Sequence, residues 1–255
     1  MTTYLFTKQY ETPQQATRAA RHYSWLALHA HPLRQPPLTA VGPTSLTYER
    51  IDGRAAEPQD LPRLAALLGD AHGAAWAGDL RTASLDVPHR FQDGTEFGDY
   101  LAPRRTALHR RREQGYLPDD QALHTMLDLL EKTAEGPTAF YKDSNPRNFV
   151  ITQEGTIYTV DVDDLTLAPR GYDLAKLMVT LTFTHGPLPP PAVEEALATY
   201  NQAAERHDPH LADTDRSRLD DFARLHAVLT APYIWHNGYR HGQSFDNALS
   251  GGGVL

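Results

Sequence analysis

The sequence predicts an α+β protein with two lobes, a small β-rich amino-terminal lobe at residues 1–52 and a larger, mostly helical lobe at residues 53–255. Three observations support this fold class. Short segments of alternating or β-branched residues lie near the amino terminus, a β-hairpin pattern lies near the middle of the chain, and apolar residues recur at helical spacing through most of the rest. We therefore expect a small sheet lobe followed by a large helical lobe.

The amino-terminal lobe is predicted to contain a strand, a helix and two further strands. Residues 4–10 alternate between apolar and polar side chains, which places Lys8 on a strand. Residues 12–15 read Thr-Pro-Gln-Gln, a capping box with proline at the first helical position, and this pattern predicts the start of a helix. Leu38–Val41 and residues 45–50 then read as two strands.

The second lobe contains five segments in which apolar residues follow helical spacing. They are residues 61–76, 119–136, 174–183, 191–206 and 217–236. Because proline cannot continue a helix, Pro232 predicts a kink or a break in the last of them.

The most informative stretch of the chain is Tyr-Lys-Asp-Ser-Asn-Pro-Arg-Asn, which begins at Tyr141. Within it Asp143 precedes Asn148 by five residues, and a predicted hairpin over residues 149–160 returns Asp161 to the side of Asn148. Phosphoryl transfer from ATP requires a carboxylate that accepts a hydroxyl proton and oxygen ligands for Mg²⁺. The pattern therefore predicts a kinase-type site, with Asp143 as the base and with Asn148 and Asp161 as metal ligands.

Residues 140–177 resemble the aminoglycoside phosphotransferase family, whose members have a protein-kinase-like fold. In that family the catalytic aspartate precedes an asparagine by five residues, and the metal-binding aspartate precedes an Asp-Leu-Ala helix start by twelve, as Asp161 precedes Asp173 here. The resemblance implies ATP and Mg²⁺ as cofactors and a structural role for Asp173, which would brace the catalytic loop. It also makes Lys8 the lysine that holds the phosphates.

The resemblance implies two binding surfaces as well. Backbone groups near Glu49 and Ile51 would form hydrogen bonds with an adenine ring. The late helices and residues 80–118 would form the walls of the acceptor pocket. The residues expected to contact the acceptor are Trp235, His236, Asn237, Tyr239 and Arg240.

The chain departs from the family pattern in three places. Tyr141-Lys142 replaces the usual His-Gly and puts a cation next to Asp143. No acidic residue occurs in residues 14–33, so the predicted helix offers no glutamate to pair with Lys8. The chain also begins only seven residues before Lys8, which leaves no room for the family's phosphate-covering hairpin. We therefore expect one of three explanations. Another segment or a partner chain covers the phosphates, nucleotide binding is weak, or the true start codon lies upstream of this sequence.

Several of these residues could have a structural role instead of a functional one. Asp163, in the run Asp-Val-Asp-Asp, is expected to be a solvated turn carboxylate rather than an additional metal ligand, and the run lacks the glycine and the distant glutamate of a calcium loop. Lys8 could be an exposed strand lysine, and Asp143 could be a capping carboxylate. His72 is expected to be a core or surface histidine rather than a ligand.

Composition restricts the functional class. The formal net charge of −8 disfavours a nucleic-acid partner and is compatible with a cationic acceptor. The absence of cysteine excludes disulfides, thiolate metal sites and cysteine nucleophiles. No segment of the sequence is long and apolar enough to span a membrane, and no basic region followed by an apolar run opens the chain, so we expect a cytoplasmic protein.

We therefore expect an ATP- and Mg²⁺-dependent kinase that phosphorylates a hydroxyl group of a small antibiotic-like or natural-product acceptor. Two alternatives stay open. The missing hairpin and helix glutamate suggest a pseudokinase or a binding module without phosphate transfer, and an ATP site could also serve another chemistry, such as activating a carboxylate through a phosphorylated intermediate. The complete set of Asp143, Asn148 and Asp161 favours the kinase.

Overall fold

The computed structural model describes residues 4–236 and 238–242, and it is an α+β structure with small antiparallel sheets and a large helical part, as the sequence predicts. Its main apolar core is one cluster that includes side chains from the first helix and from the late helices. In the described part of the chain, none of the helices has both the length and the apolar character needed to cross a membrane.

Residues near the amino terminus form a three-stranded antiparallel sheet and one long helix. The strands are β1 (Leu5–Gln9), β2 (Leu38–Val41) and β3 (Ser45–Glu49), in the order β1-β3-β2. Helix α1 (Pro13–His29) follows β1. At its start the Thr12 side chain accepts from the Gln15 N–H at 3.3 Å, and the Gln15 side chain accepts from the Thr12 N–H at 3.2 Å. The predicted capping box is confirmed.

Helix α1 attaches the small sheet to the rest of the molecule through its buried face. Trp25 lies at the centre of this face, with its ring centre 4.6 Å from that of Phe97 and 5.9 Å from that of Phe140. Its indole N–H donates to Asp79 at 3.0 Å. Because large aromatic side chains contribute much of a core's packing energy, these contacts fix the orientation of the sheet that carries Lys8.

Six helices make up most of the regular structure that follows the amino-terminal sheet in the described chain. They are α2 (Leu61–Ala75), α3 (Leu101–Glu113), α4 (Asp120–Thr133), α5 (Tyr172–His185), α6 (Pro190–Glu205) and α7 (Arg216–Thr230). Helix α2 packs along α6, and α5 contacts both α2 and α7. Nearly every residue of α5 is buried, including the polar residues Asp173, Lys176 and Thr180, so this helix lies at the centre of the helical part.

The structure confirms the break that Pro232 predicts in the last helical segment. The apolar pattern of α7 extends to residue 236, but the helix ends at Thr230 and a 3₁₀ turn at Ala231–Tyr233 follows, because Pro232 has no N–H to continue the ladder. Helix α3 was not predicted. Its only leucines are Leu101 and Leu108, and arginines occupy many of the other positions, so apolar periodicity is weak.

Seven short strands lie among the helices. They are β4 (Arg54–Ala55), β5 (His89–Arg90), β6 (Glu96–Phe97), β7 (Thr138–Tyr141), β8 (Phe149–Ile151), β9 (Ile157–Thr159) and β10 (Thr166–Pro169). Strands β8 and β9 form the predicted hairpin, β4 joins its β8 edge, and β7 pairs with β10. The Val160 N–H donates to the Asn148 carbonyl at 3.0 Å. The hairpin therefore returns the chain to Asn148 just before Asp161.

Candidate active site

The loop after β7 carries Asp143 in a left-handed backbone conformation. Its φ is 58°, and Asp161 after β9 has the same value. Aspartate is one of the few residues other than glycine that adopts this region with some frequency. The buried Asp173 carboxylate accepts hydrogen bonds from two main-chain N–H groups of this loop, those of Lys142 at 3.3 Å and Ser144 at 2.7 Å. Asp173 therefore makes the bracing contacts that the resemblance implies.

Two groups hold the Asp143 carboxylate. The Tyr141 hydroxyl donates to its Oδ1 at 2.8 Å, and the Lys176 Nζ lies 3.2 Å from the same oxygen. Lys176 also donates to the Thr230 hydroxyl at 3.1 Å. Burial raises the pKa of Asp143, but the Lys176 charge and the Tyr141 hydrogen bond outweigh it and lower this pKa to about 2. The carboxylate is therefore ionised at neutral pH.

The cation beside Asp143 is thus Lys176, and the sequence expectation for Lys142 was wrong. Lys142 is almost completely buried, and its Nζ lies 4.2 Å from the centre of the Phe149 ring. Among the described residues this Nζ has no hydrogen-bond partner, and burial lowers the pKa of Lys142. Neighbouring side chains on a strand point to opposite faces, so Tyr141 faces the aspartate while Lys142 turns inward.

Asn148 and Asp161 both present oxygen atoms to the place where the sequence predicts a metal. Asn148 lies at the end of a 3₁₀ turn, and its amide nitrogen donates to the Asp143 carbonyl at 2.9 Å, so its Oδ1 is the side-chain atom left to bind a cation. Within the described ranges, no group of three His, Cys, Asp or Glu side chains could hold a metal. A single amide and a single carboxylate fit Mg²⁺, which takes few protein ligands and completes its shell with water and phosphate oxygens.

Lys8 forms ion pairs with two aspartates that follow the hairpin. Its Nζ lies 2.5 Å from Asp161 Oδ1 and 2.6 Å from Asp163 Oδ2. Burial favours the neutral amine, but these partners raise the pKa of Lys8 above its usual value. The Asp163 side chain is 22% exposed, so it is a paired carboxylate and not the solvated turn residue that the sequence suggested. Asp163 therefore gives Lys8 the negative partner that helix α1, which has no acidic residue, does not provide.

Two cavities meet at Asp161. The smaller one, of about 350 Å³, lies between the amino-terminal sheet and the β8–β9 hairpin, and its lining includes Lys8, Glu49 and Ile51. The Glu49 N–H already donates to the Pro37 carbonyl at 2.9 Å. Within the described chain, the Ile51 N–H has no main-chain acceptor. Of the two residues, Ile51 is therefore the one whose N–H is available at this cavity.

The larger cavity, of about 600 Å³, lies against α3, α5 and α7 and contains Asp143, Asn148 and Asp161 in its lining. Of the residues expected to contact an acceptor, Tyr239 is in this lining. Trp235, His236 and Arg240 are exposed and are not in the described lining, and Asn237 lies outside the described residues.

Sequence reasoning missed most of the helix residues in the wall of the larger cavity. They are Arg104 and Arg111 on α3, Tyr172 and Lys176 on α5, His226 on α7 and Tyr233 after it. Two signals were available. Lys176 is a lysine in the middle of a helical segment rich in apolar residues, and Arg104 and Arg111 are seven residues apart, which puts them on one face of a helix.

Comparisons with known proteins agree with this architecture. A sequence model described as phosphotransferase enzyme family matches residues 5–211. A search of curated proteins finds no match. Among solved structures, macrolide 2′-phosphotransferase MphH from Brachybacterium faecium is 17% identical, the match covers 96% of this chain and 83% of that chain, and the TM-score is 0.56.

Two further solved structures are similar over nearly the whole chain. The amicoumacin kinase hAmiN is 12% identical, with 98% of this chain and 82% of that chain covered and a TM-score of 0.62. The choline kinase LicA from Streptococcus pneumoniae is 12% identical, with 98% of this chain and 87% of that chain covered and a TM-score of 0.58. At such low identities the similarity shows a shared fold.

Proposed function

Because this chain belongs to the phosphotransferase enzyme family, we propose that it transfers the γ-phosphoryl group of ATP to a hydroxyl group of a small antibiotic-like or natural-product acceptor, with Mg²⁺ as cofactor. Family membership makes the chain a phosphotransferase and supports small-molecule kinase activity. The structural neighbours are named for macrolide, amicoumacin and choline, and the amicoumacin kinase structure contains AMP-PNP and Ca²⁺. Use of ATP also supports a cytoplasmic location.

The position of Asp161 between the two cavities carries this proposal. Lys8 lies on the side of the smaller cavity, and Asp143 lies on the side of the larger one. ATP in the smaller cavity would place its adenine near Ile51 and its phosphates near Lys8, while an acceptor in the larger cavity would present its hydroxyl to Asp143. The two reactants would then meet beside Asp161, which is the arrangement that phosphoryl transfer requires.

Each polar group has a role in this geometry. Asp143 is ionised and orients the acceptor hydroxyl and takes its proton, while Tyr141 holds the carboxylate in place. Asn148 and Asp161 would hold Mg²⁺, an ion that neutralises charge on the triphosphate when it is bound. Lys8 steadies the phosphates, and its second ion pair keeps it in position when Asp161 is engaged elsewhere.

Calorimetric titration with ATP and ADP, with and without Mg²⁺, tests the nucleotide half of the proposal. We expect metal-dependent binding by the wild-type protein and its loss in Asp161→Ala. Glu154→Gln is the matched control, because Glu154 is an exposed carboxylate in the turn of the same hairpin. Equal binding by Asp161→Ala and wild type would remove Asp161 as a metal ligand, and no binding by the wild type would favour a pseudokinase.

The transfer half is tested with Asp143→Asn in an assay for ADP release against a panel of hydroxyl compounds. We expect this variant to bind Mg-nucleotide normally and to lose transfer by a factor of about 10² or more, because general base catalysis contributes on that order. Retained transfer would show that Asp143 is not the base. Loss of nucleotide binding together with transfer would instead indicate a damaged site, and circular dichroism shows whether the whole fold is lost or the damage is local.

A further inference from the structure

We propose that the acceptor carries an anionic group, a carboxylate or a phosphate, which binds between Arg104 and Arg111 on the α3 wall of the larger cavity. This inference rests on the proposed function and narrows its substrate class. It runs against the overall charge of −8, which by itself would favour a cationic acceptor. The charged groups inside the cavity determine which acceptor charge is favoured, because exposed charges beyond about 8 Å are largely screened at physiological salt.

All carboxylates in the described lining of the larger cavity lie on the catalytic loop or just after the hairpin, and each already faces a cation. The pairs are Asp143 with Lys176 at 3.2 Å, Asp161 with Lys8 at 2.5 Å, and Asp164 with Arg18 at 3.1 Å. The described lining residues of α3 and α7 include no carboxylate. A cationic acceptor would therefore find no unpaired negative group on the helix wall.

Arg104 is buried in that wall without a counter-ion. It is 6% exposed, and its guanidinium lies 4.5, 5.0 and 4.7 Å from the ring centres of Tyr100, Tyr141 and Tyr172. Its hydrogen bonds go to neutral oxygens, with the Tyr172 hydroxyl at 3.0 Å and the Tyr100 carbonyl at 2.8 Å. Within the described residues it forms no ion pair, and arginine stays protonated in proteins. The wall therefore carries a full positive charge here.

Arg111 lies two helical turns further along α3 on the same face. It is 9% exposed, and its guanidinium donates to the Leu229 carbonyl at 2.8 and 3.1 Å and to the Gln114 side chain at 3.1 Å. These partners are also neutral, and the described chain offers it no carboxylate. Burying a charge without a counter-ion costs free energy. An anion bound between the two arginines would offset that cost and use their remaining N–H donors.

The aromatic rings of the cavity do not favour a cationic ligand. Tyrosine faces bind ammonium groups in many sites, but arginine already lies over three of the four tyrosine rings in the described lining. Arg104 lies over Tyr141 and Tyr172, and the Arg147 guanidinium lies 5.5 Å from the ring centre of Tyr239. An amine in the cavity would have to compete with these guanidinium groups for the same ring faces. The rings and the arginines together favour an anionic acceptor.

Three pyranose sugars of similar size test the charge preference. Glucuronate, glucose and glucosamine carry charges of −1, 0 and +1 at slightly acidic pH, and each fits a cavity of about 600 Å³. Equilibrium binding is measured by calorimetry at millimolar sugar, with and without Mg-AMP-PNP. We expect glucuronate to bind more tightly than glucose, and glucosamine to bind most weakly.

Variants of Arg111 connect this preference to the α3 wall. Arg111→Gln should weaken glucuronate binding on the order of ten-fold, the usual effect of losing a charged hydrogen bond, and should leave glucose binding unchanged. Arg111→Lys keeps the charge and should retain part of the preference. Arg110→Gln is the matched control. It removes the same net charge, but Arg110 is exposed and lies outside the described lining. It should bind all three sugars like the wild type.

Three results would overturn the inference. They are equal or tighter binding of glucosamine, absence of glucuronate binding at millimolar concentration, and equal losses in the Arg110 and Arg111 variants. Thermal unfolding of each variant shows whether a loss comes from misfolding. Nucleotide titration of the same samples separates the two proposals, because a protein that binds Mg-ATP and shows no anion preference contradicts only this inference.

Discussion

At the residue scale, two neighbouring side chains control the charge of Asp143. Tyr141 takes the place of the usual histidine and donates its hydroxyl to the carboxylate at 2.8 Å. Lys176, from the first turns of α5, approaches the same oxygen at 3.2 Å. Both groups favour the ionised form, and their combined effect exceeds that of burial. The charge state of the expected base is therefore set mainly by Lys176.

Replacing this cation should raise the pKa of Asp143. In Lys176→Met, burial still favours the neutral acid while the opposing charge is gone, so we expect the pKa to rise from about 2 by about one unit or more. If Asp143 is the base, the acidic limb of the transfer rate should move to higher pH by the same amount, because the base acts in its ionised form. Carbon-13 NMR of the aspartate carboxyl groups measures the pKa without a substrate.

Two further variants make the Lys176 prediction specific. Tyr141→Phe removes one hydrogen bond and no charge, so its shift should have the same direction and a smaller size. Lys132→Met removes an equal charge from an exposed lysine that pairs with Asp221, and it should leave Asp143 unchanged. An unchanged Asp143 pKa in Lys176→Met would show that the ion pair does not control the carboxylate.

At the element scale, the close packing of α2 against α6 helps to fix the strand that leads into the catalytic loop. A Cβ added at Gly69 would clash with the Tyr200 carbonyl oxygen on α6. One turn away, the buried His72 ring lies 4.6 Å from that of Phe140 on β7, the strand that leads into the catalytic loop. His72 also contacts the Tyr200 hydroxyl at 2.8 Å. The helix pair therefore supports the position of β7.

Gly69→Ala should destabilise the protein even though alanine is the better helix former. Alanine gains about 1 kcal/mol of helix propensity over glycine, but main-chain atoms of a packed helix cannot move aside, so we expect a net loss of about 1 to 3 kcal/mol in the free energy of unfolding. Gly73→Ala is the matched variant on the same helix, because its added Cβ meets mainly the His207 side chain. Urea denaturation compares the two, and a larger loss at Gly73 would contradict this account.

The elements also show what the sequence could predict and why the rest was missed. Asp143, Asn148 and Asp161 were found because one loop and one hairpin bring them together, so their spacing along the chain reflects their spacing in the fold. The pairing of Lys8 with Asp163 joins residues 155 positions apart, and no local pattern predicts it. Helix α3 has weak apolar periodicity, so its contribution to the cavity wall was not visible either.

At the scale of the whole molecule, three buried histidines tie stability to pH. They are His22, His72 and His226. The hydrogen bonds of His72 and His226 suit a neutral ring, whereas both ring nitrogens of His22 face main-chain carbonyls, of Asp163 at 2.7 Å and of Glu96 at 3.1 Å, so burial is what favours its neutral form. Burial lowers the pKa of all three, that of His72 from 6.5 to about 3. They lie in separate parts of the core, at the α1 interface, at the α2–α6 pair and under the acceptor cavity. Protonation of any of them places a charge in the buried core, which is unfavourable.

The free energy of unfolding should therefore fall as the pH drops below about 6.5. The folded pKa is the lower one, so the unfolded chain binds more protons, and this contribution to stability is complete above 6.5 and is lost as the pH falls toward 3. Each histidine can add a slope of at most about 1.4 kcal/mol per pH unit. Urea denaturation between about pH 7.5 and pH 4.5 measures the sum, a range that lies above the usual titration of most carboxylates.

His72→Gln assigns a share of this slope to one residue. Glutamine keeps an acceptor for the Tyr200 hydroxyl but does not titrate, so the free energy of unfolding of the variant should depend less on pH. Relative to the wild type, the variant should be most stable near pH 4.5. His124→Gln, on the exposed face of α4, should follow the wild-type curve. If His72→Gln and the wild type lose stability in parallel over this range, then His72 is protonated without cost and the core at the α2–α6 pair admits water.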